Sequence, residues 1–481
     1  FFYFTCSENI PIFRANLSCI NHARFMKDFI RIASGQGFWG DLPNAPVNQA
    51  KKGPIDYLVM DYLAEVTMSI MQKQRMRNPE WGYARDFVGV VEQVLPEIKN
   101  DSIKVISNAG GVNPLACKDE ILKIAKEKGY KDLKIAVVDG DDILDQIDEL
   151  IADGHELKNM DDGRPISTVK ENLLSANVYF GCQPIVKALE LGADVIITGR
   201  VTDTGLTLAP MIYEFGWDYK DFDKMAVGTI AGHILECGAQ SSGGNFTDWE
   251  KVEDFVDIGF PIVQAYPNGD FFVTKHEGTG GLVSAMTVKE QLLYEIGDPA
   301  EYITPDVIAD FTSIQVEETG KNKVKVTGIK GHPDTPTYKV SASYNDGYKL
   351  SATLVYSWPD ALKKAVRGAE ILQKRAEVLG LKFDEFNKEY IGYNGNSEIP
   401  VTEEALNTEF DEIQMRVSVS GQSKNDLNRF GMEIAPLILT GPSGVTGFAG
   451  GRPKASDVVA YWPALLDKKA VTPRITLFEI E

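Results

Sequence analysis

Basic residues are scarce in this chain. Of 481 residues, 49 are Lys or Arg against 69 Asp or Glu, giving a net charge of −20, and no dense Lys/Arg run occurs. Neutralising phosphates takes a basic face, so nucleic acid is excluded as a partner and an anionic ligand must be held by local cations. Cysteine is sparse too: Cys6, Cys19, Cys117, Cys182 and Cys237 are scattered, with no C-x-x-C pair. That pattern excludes a disulfide framework and fits a reducing compartment, the cytoplasm or the mitochondrial matrix. No window approaches the roughly 18 consecutive apolar residues of a membrane-spanning helix, so no membrane partner is expected. Heptads, low-complexity tracts, a convincing internal repeat and a Walker Gly-Lys-Ser/Thr motif are also missing.

What remains is an ordinary globular composition, 43% hydrophobic and 25% charged, in a chain too long for one simple core. Short apolar runs recur through the first half, each followed by glycine or polar residues and then a helical pattern. They are "FIRIA", "DYLVM", "IKVI", "LKIAVV", "NVYF" and "DVIIT". Alternating strand and helix predicts a parallel α/β domain, doubly wound and Rossmann-like; a TIM-like barrel is the alternative, but needs two further strands. After about residue 255 the pattern changes to hairpins with Asn-Gly, Gly-Lys-Asn and Asp-Gly turns, then a helix over 359–379, a strand "IQMRVSVSG" and a helix near 426–434. The expected organisation is residues 1–28 as an N-terminal arm or presequence remnant, 29–254 as the parallel domain, and 255–481 as an α+β domain. The arm and the glycine-rich surfaces suggest a homo-oligomer.

The strand "DVIIT" runs into Gly199, Arg200 and Asp203, at the edge of a parallel sheet where ligands bind. Arg200 either binds an anion or pairs with an acidic neighbour, and Asp203 either acts in chemistry or caps the helix predicted from there to Phe215. In "MDYLAE", Asp61 and Glu65 fall one turn apart if a helix starts near Asp61, as a general base or a carboxylate pair. The loop "SGQGFWGD" offers Gly35 and Gly37 for close backbone approach, and "SNAGGVNP" offers Asn108, Gly110 and Gly111 as an oxyanion cradle. In "DGDD", Asp139, Asp141 and Asp142 either bind a divalent cation or start the next helix. His233, Glu236 and Cys237 sit at helical spacings, as base and nucleophile, as two zinc ligands, or as structure. Gly280 and Gly281 run into a helix between Lys275 and Lys289, and Gly450 and Gly451 precede Arg452; both loops suit an anion.

Taken together, "DYLAEVTMSIM", "AVVDGDDILDQI", "GADVIITGRVTDTGLTLAPMIYEFGW", "GTIAGHILECGAQSSGGNF", "GTGGLVSAMTVKEQLLYEIGDPAEYITPDV" and "GPSGVTGFAGGRP" resemble the acyclic terpene utilisation A (AtuA) family, formerly a domain of unknown function. The resemblance covers about residues 29 to 475. It implies catabolism of citronellol and geraniol through branched acyl-CoA thioesters, with lyase-type cleavage of a 3-hydroxy-3-methylglutaryl-CoA-like intermediate to acetate and an enoyl product. The motif positions carried over include Gly35, Gly37, Asp41, Asp61, Glu65, Asn108, Asp139, Asp141, Thr198, Gly199, Arg200, Asp203, His233, Glu236, Lys289 and Arg452. Longer relatives add a ferredoxin-like domain, so a separate ferredoxin-like partner is a further expectation. The chain therefore reads as an enzyme acting on a small anionic acyl substrate, the alternative being a non-catalytic acyl-CoA-binding or scaffold subunit. No cofactor is firmly expected; a divalent metal is the one the acidic strand ends would suit.

Overall fold

The computed structural model describes residues 27–64, 67–397, 399–447 and 450–480. The N-terminal arm therefore lies outside the described residues up to residue 26, and so does Glu65. Strands β1 (Ile30–Gln36), β2 (Tyr57–Met60), β3 (Lys104–Ser107), β4 (Lys134–Asp139), β5 (Leu173–Val178) and β6 (Val195–Thr198) alternate with helices α1 (Ala45–Lys51), α2 (Thr67–Arg77), α3 (Arg85–Asn100), α4 (Pro114–Glu127), α5 (Ile147–Ala152) and α6 (Gln183–Glu190). Five of these strands pair in parallel in the order β1-β2-β3-β6-β4. Every residue of β2 and β6 is buried, as expected of strands covered on both faces.

Side chains alternate across a strand, and here they divide between two cores. Leu58, Val105, Val195 and Ile197 join Phe87, Val91 and Leu95 of α3 and Ile121 of α4. Their neighbours Val59, Ile106 and Ile196 join the opposite cluster, with α6, α7 (Gly205–Phe215) and α8 (Phe222–Glu236). The structure is thus mixed α/β, with helices packed on both faces of the parallel strands.

The change of pattern near residue 255 coincides with a change of pairing inside the same sheet. Strands β7 (Pro261–Ala265) and β8 (Phe271–Lys275) form the expected Asn-Gly hairpin and add antiparallel to β1. The hairpin Gln315–Gly320/Lys323–Thr327 adds outside β8, and Arg474–Glu479 adds antiparallel to β4, which makes ten strands. A second sheet is built on the 21-residue strand Thr337–Ser357, paired with Glu412–Gly421 and Ser456–Asp467 and backed by helices Ala361–Val378 and Lys424–Ile434. No helix among the described residues is long and apolar enough to cross a membrane.

Two strand expectations need correction. The run ending in "NVYF" is not part of the parallel sheet: β5 pairs antiparallel with Thr337–Ser357. Its Ser175 and Asn177 are buried, and they are met there by the Ser343 hydroxyl at 2.7 Å and by Asp141 at 2.9 Å. The Asp-Gly of "YKVSASYNDGYKLSATLVY" makes an irregularity rather than a hairpin turn. The strand continues through it, with Gly347 at φ +83°, because Ser456–Asp467 pairs with it on both sides of the interruption.

Candidate functional site

The carboxyl ends of β1, β2 and β6 open on one cleft of about 570 Å³, within the size range of small-molecule sites. Beyond β1, the Asp41 carboxylate folds the loop back by accepting the Gly37 amide at 3.0 Å and the Leu42 amide at 2.7 Å. Gly37 is required there. A Cβ on it would stand 2.5 Å from the Gly238 amide nitrogen, just past the end of α8. Gly37→Ala is accordingly expected to cost about 1–3 kcal/mol of stability, since backbone must move to admit the methyl group; an unchanged urea midpoint would contradict this close approach.

Beyond β2 comes Asp61, in irregular chain. Residues 61–64 are not helical, so Asp61 does not begin a helix. Its Oδ1 accepts the Leu63 amide at 3.0 Å and the Asn108 side-chain amide at 2.6 Å, while Asn108 Oδ1 accepts the Tyr62 amide at 2.8 Å. Asn108, just past β3, thus holds Asp61 in place. Burial pushes the Asp61 carboxyl up to about 6, against the opposing pull of the nearby Arg200 charge.

Beyond β6 the chain turns tightly at Thr198 and Gly199. A Cβ at Gly199 would overlap Oδ1 of Asp141, whose Oδ2 accepts the Arg200 amide at 2.8 Å and the Asn177 side-chain amide at 2.9 Å. Asp141 is buried and its carboxyl is pushed up to about 7, chiefly by that burial. The three aspartates of "DGDD" therefore have separate tasks: Asp139 pairs with Arg474 at 2.8 Å, Asp141 anchors the Arg200 turn, and Asp142 accepts the Leu144 amide at 3.1 Å. Among the described residues, no three His, Cys, Asp or Glu side chains are grouped to hold a metal ion.

The Arg200 side chain is 2% exposed. Nη1 donates to the Leu63 carbonyl at 2.8 Å and lies 3.0 Å from Asp203 Oδ1; Nη2 donates to Asp203 Oδ2 at 3.2 Å. The guanidinium carbon stacks 4.0 Å over the Tyr179 ring. Burial works against this charge, but Asp203, Tyr179 and Asp61 more than offset it and raise its pKa further. Asp203 does not cap α7, which begins at Gly205 after Thr204; its carboxylate answers Arg200 instead.

The last turn of α8 supplies His233 and Glu236, one helical turn apart. His233 is 1% exposed, with Nδ1 2.7 Å from Glu236 Oε1 and Nε2 2.9 Å from the Gln291 carbonyl oxygen. The imidazole thus serves Glu236 rather than Cys237. Burial, and then Glu236, pushes the Cys237 thiol up to about 12, so it is protonated at neutral pH and a poor nucleophile.

Of the residues singled out from sequence, the cleft gathers Gly37, Asp41, Asp61, Arg200, Asp203, Glu236 and Cys237, with Asn108, Thr198, Gly199 and His233 directly behind them. Others lie elsewhere. Gly35 packs on Leu58 and Met60, Gly110 on the Thr198 carbonyl, and Gly111 turns at φ +51° against Met71. The Gly280 and Gly281 amides are bonded to the Asp257 and Ile258 carbonyls, each at 2.8 Å. Lys275 is buried, donating to Thr279 O at 2.6 Å and Oγ1 at 2.8 Å, and burial lowers its pKa. Lys289 and Arg452 are exposed, and Gly450 and Gly451 border a separate hollow with Ser351 and Thr353. The sequence reading missed the anchoring role of Asp141 and passed over Asn177 and Tyr179 altogether. Only Asp141 carried a signal, as the second aspartate of a strand-ending acidic run.

No curated protein and no solved structure matches the sequence. The acyclic terpene utilisation family does match, over residues 30–477. That span contains every strand and helix lining the cleft, so the chain belongs to the acyclic terpene utilisation family, AtuA, and this membership points to a role in acyclic terpene utilisation.

Proposed function

We propose that the cleft performs acid–base cleavage of a branched 3-hydroxyacyl thioester bearing a carboxymethyl arm, of the 3-hydroxy-3-methylglutaryl type. One observation carries the reading: Asp61, a buried carboxyl held near 6, faces the same cleft as the fixed charge of Arg200. At neutral pH such a group is mostly ionised, yet it is a stronger base than an ordinary carboxylate, which suits proton abstraction. The strand order, with helices against both sheet faces, supports a doubly wound domain in which ligands sit beyond the carboxyl edge.

In this reading Asp61 takes the proton of the tertiary hydroxyl. The oxygen pair becomes a carbonyl, the bond to the carboxymethyl carbon breaks, and its electron pair stays on that carbon as the enediolate of acetate. Arg200 stabilises the added negative charge from a position already fixed by Leu63 and Asp203, with little reorganisation. Protonation of the carbon then gives acetate and a 3-oxo thioester that keeps any double bond of the branched chain. Asp41, Asp203, Glu236 and Glu295 also line the cleft, so the fixed charge of Arg200 is what draws in an anionic substrate.

The test is incubation of the purified chain with such thioesters, followed by mass spectrometry. Acetate and a 3-oxo thioester are expected. Saturable binding without product would assign the chain to the scaffold role instead, and neither binding nor product would defeat both readings.

A further inference from the structure

We propose that Glu236 is the general acid of this cleft and that His233 is its positioning partner, the two sharing a single proton that Glu236 delivers to the reacting carbon. The inference rests on the cleavage reading for its substrate but on hydrogen-bond geometry for its proton.

The geometry starts at the far side of the ring. Nε2 of His233 lies 2.9 Å from the Gln291 backbone carbonyl, which can only accept, so Nε2 carries a hydrogen. The same glutamine donates its side-chain amide back to the His233 carbonyl at 2.7 Å. The rings of Tyr302 and Phe311 hold the imidazole, each with its centre 5.6 Å away. With Nε2 committed, only Nδ1 can exchange a proton, and it faces Glu236 Oε1 at 2.7 Å.

Between those two atoms there must be one proton. Without it, a ring lone pair would oppose a carboxylate lone pair in a buried site, which is costly. The proton belongs either to Nδ1, as imidazolium beside carboxylate, or to Glu236, as neutral imidazole beside carboxylic acid. Asp61 lines the same cleft as Glu236, so the two carboxyls face one enclosed space. Arg200 is the single Lys or Arg lining the cleft among the described residues.

His233 has no access to the cleft except through Glu236, which lines it. The proton therefore leaves by rotation of the Glu236 carboxyl toward the enediolate carbon, where the carbanion pair forms the new C–H bond. Glu236 is then a carboxylate facing the bare Nδ1, and the pair recovers a proton from Asp61, which holds the one taken from the substrate hydroxyl. One proton leaves the hydroxyl and one arrives on the acetate methyl, so the cycle closes with no other reactant.

The sequence contains five histidines, which makes 15N-histidine labelling of the full chain practical. The His233 signals are assigned by their loss in His233→Gln. The expected spectrum shows Nε2 protonated, with Nδ1 in a hydrogen bond that Glu236→Gln alters. In turnover, Glu236→Gln is expected to lose about 10²–10⁴-fold in kcat with little change in KM. His233→Gln should lower kcat with little change in KM, because the Glu236 carboxyl loses the ring that fixes its orientation. An Nδ1–H tautomer, or ordinary imidazole titration identical in wild type and Glu236→Gln, would overturn the proposal whether or not the thioester is cleaved. A shared proton in a protein that cleaves no thioester would uphold the pair and sink the cleavage reading alone.

Discussion

Replacing Arg200 with methionine is expected to cost about 3–5 kcal/mol of stability, the usual loss when one partner of a buried ion pair is removed. The guanidinium joins three separate parts of the chain, the Leu63 carbonyl after β2, Asp203 ahead of α7 and the Tyr179 ring. Methionine fills the volume but leaves the Leu63 carbonyl without that donor, and Asp203 and Asp61 without the cation. Lysine should recover only part of the loss, since one ammonium cannot span both Leu63 and Asp203 as the planar fork does. Combining Arg200→Met with Asp203→Asn should make the two losses less than additive, because both substitutions remove the same ion pair. Urea denaturation at pH 7.5 reads all five proteins, wild type and Asp203→Asn included. A loss below about 1 kcal/mol for Arg200→Met would show that the turn does not depend on this charge.

The second large effect is on chemistry. Asp61→Asn is expected to lower turnover by about 10²–10⁴-fold while changing thioester affinity little. The fold should survive, since the asparagine carbonyl can accept the same bonds from Leu63 and Asn108. Stability should even improve above neutral pH. The native Asp61 carboxyl is raised from 3.8 to about 6, so the folded state binds more protons than the unfolded state between those values. Stability from this group therefore falls as pH rises through that window and stays low above it. The variant lacks this loss, so its advantage should be absent below about pH 4 and reach its full value above about pH 6, and paired urea titrations at pH 4 and pH 8 would measure it.

The parallel strands were legible because burial on both faces requires solid apolar runs, and Gly192 and Gly199 frame one of them at β6. The edge position of Arg200 followed from that strand, and the spacing of His233 and Glu236 followed from the helix. What could not be read locally is what each residue meets across the fold. The acceptor that fixes the His233 tautomer is a backbone carbonyl 58 residues away, and an Asp-Gly pair reads the same in a tight turn and in the interrupted strand at Gly347. Glycines mislead for a related reason: Gly37 makes room at the cleft, whereas Gly280 and Gly281 make room for Asp254, Ile258 and Ser242. Asp61 reads as a helix start because apolar spacing begins there, although residues 61–64 are not helical. Asp141 reads as a cap or a cation ligand because its partners, the Arg200 amide and Asn177, come from the turn after β6 and from β5.

The most direct measurement is isotopic: turnover of the branched 3-hydroxyacyl thioester in D₂O near neutral pD, with wild type and Asp61→Asn side by side. Acid–base cleavage in the cleft predicts one deuterium in the methyl group of each acetate released by wild type, and almost no acetate from a variant that still binds the thioester. Release of acetate by Asp61→Asn at the wild-type rate would contradict it, as would a wild-type protein that binds the thioester and leaves it whole.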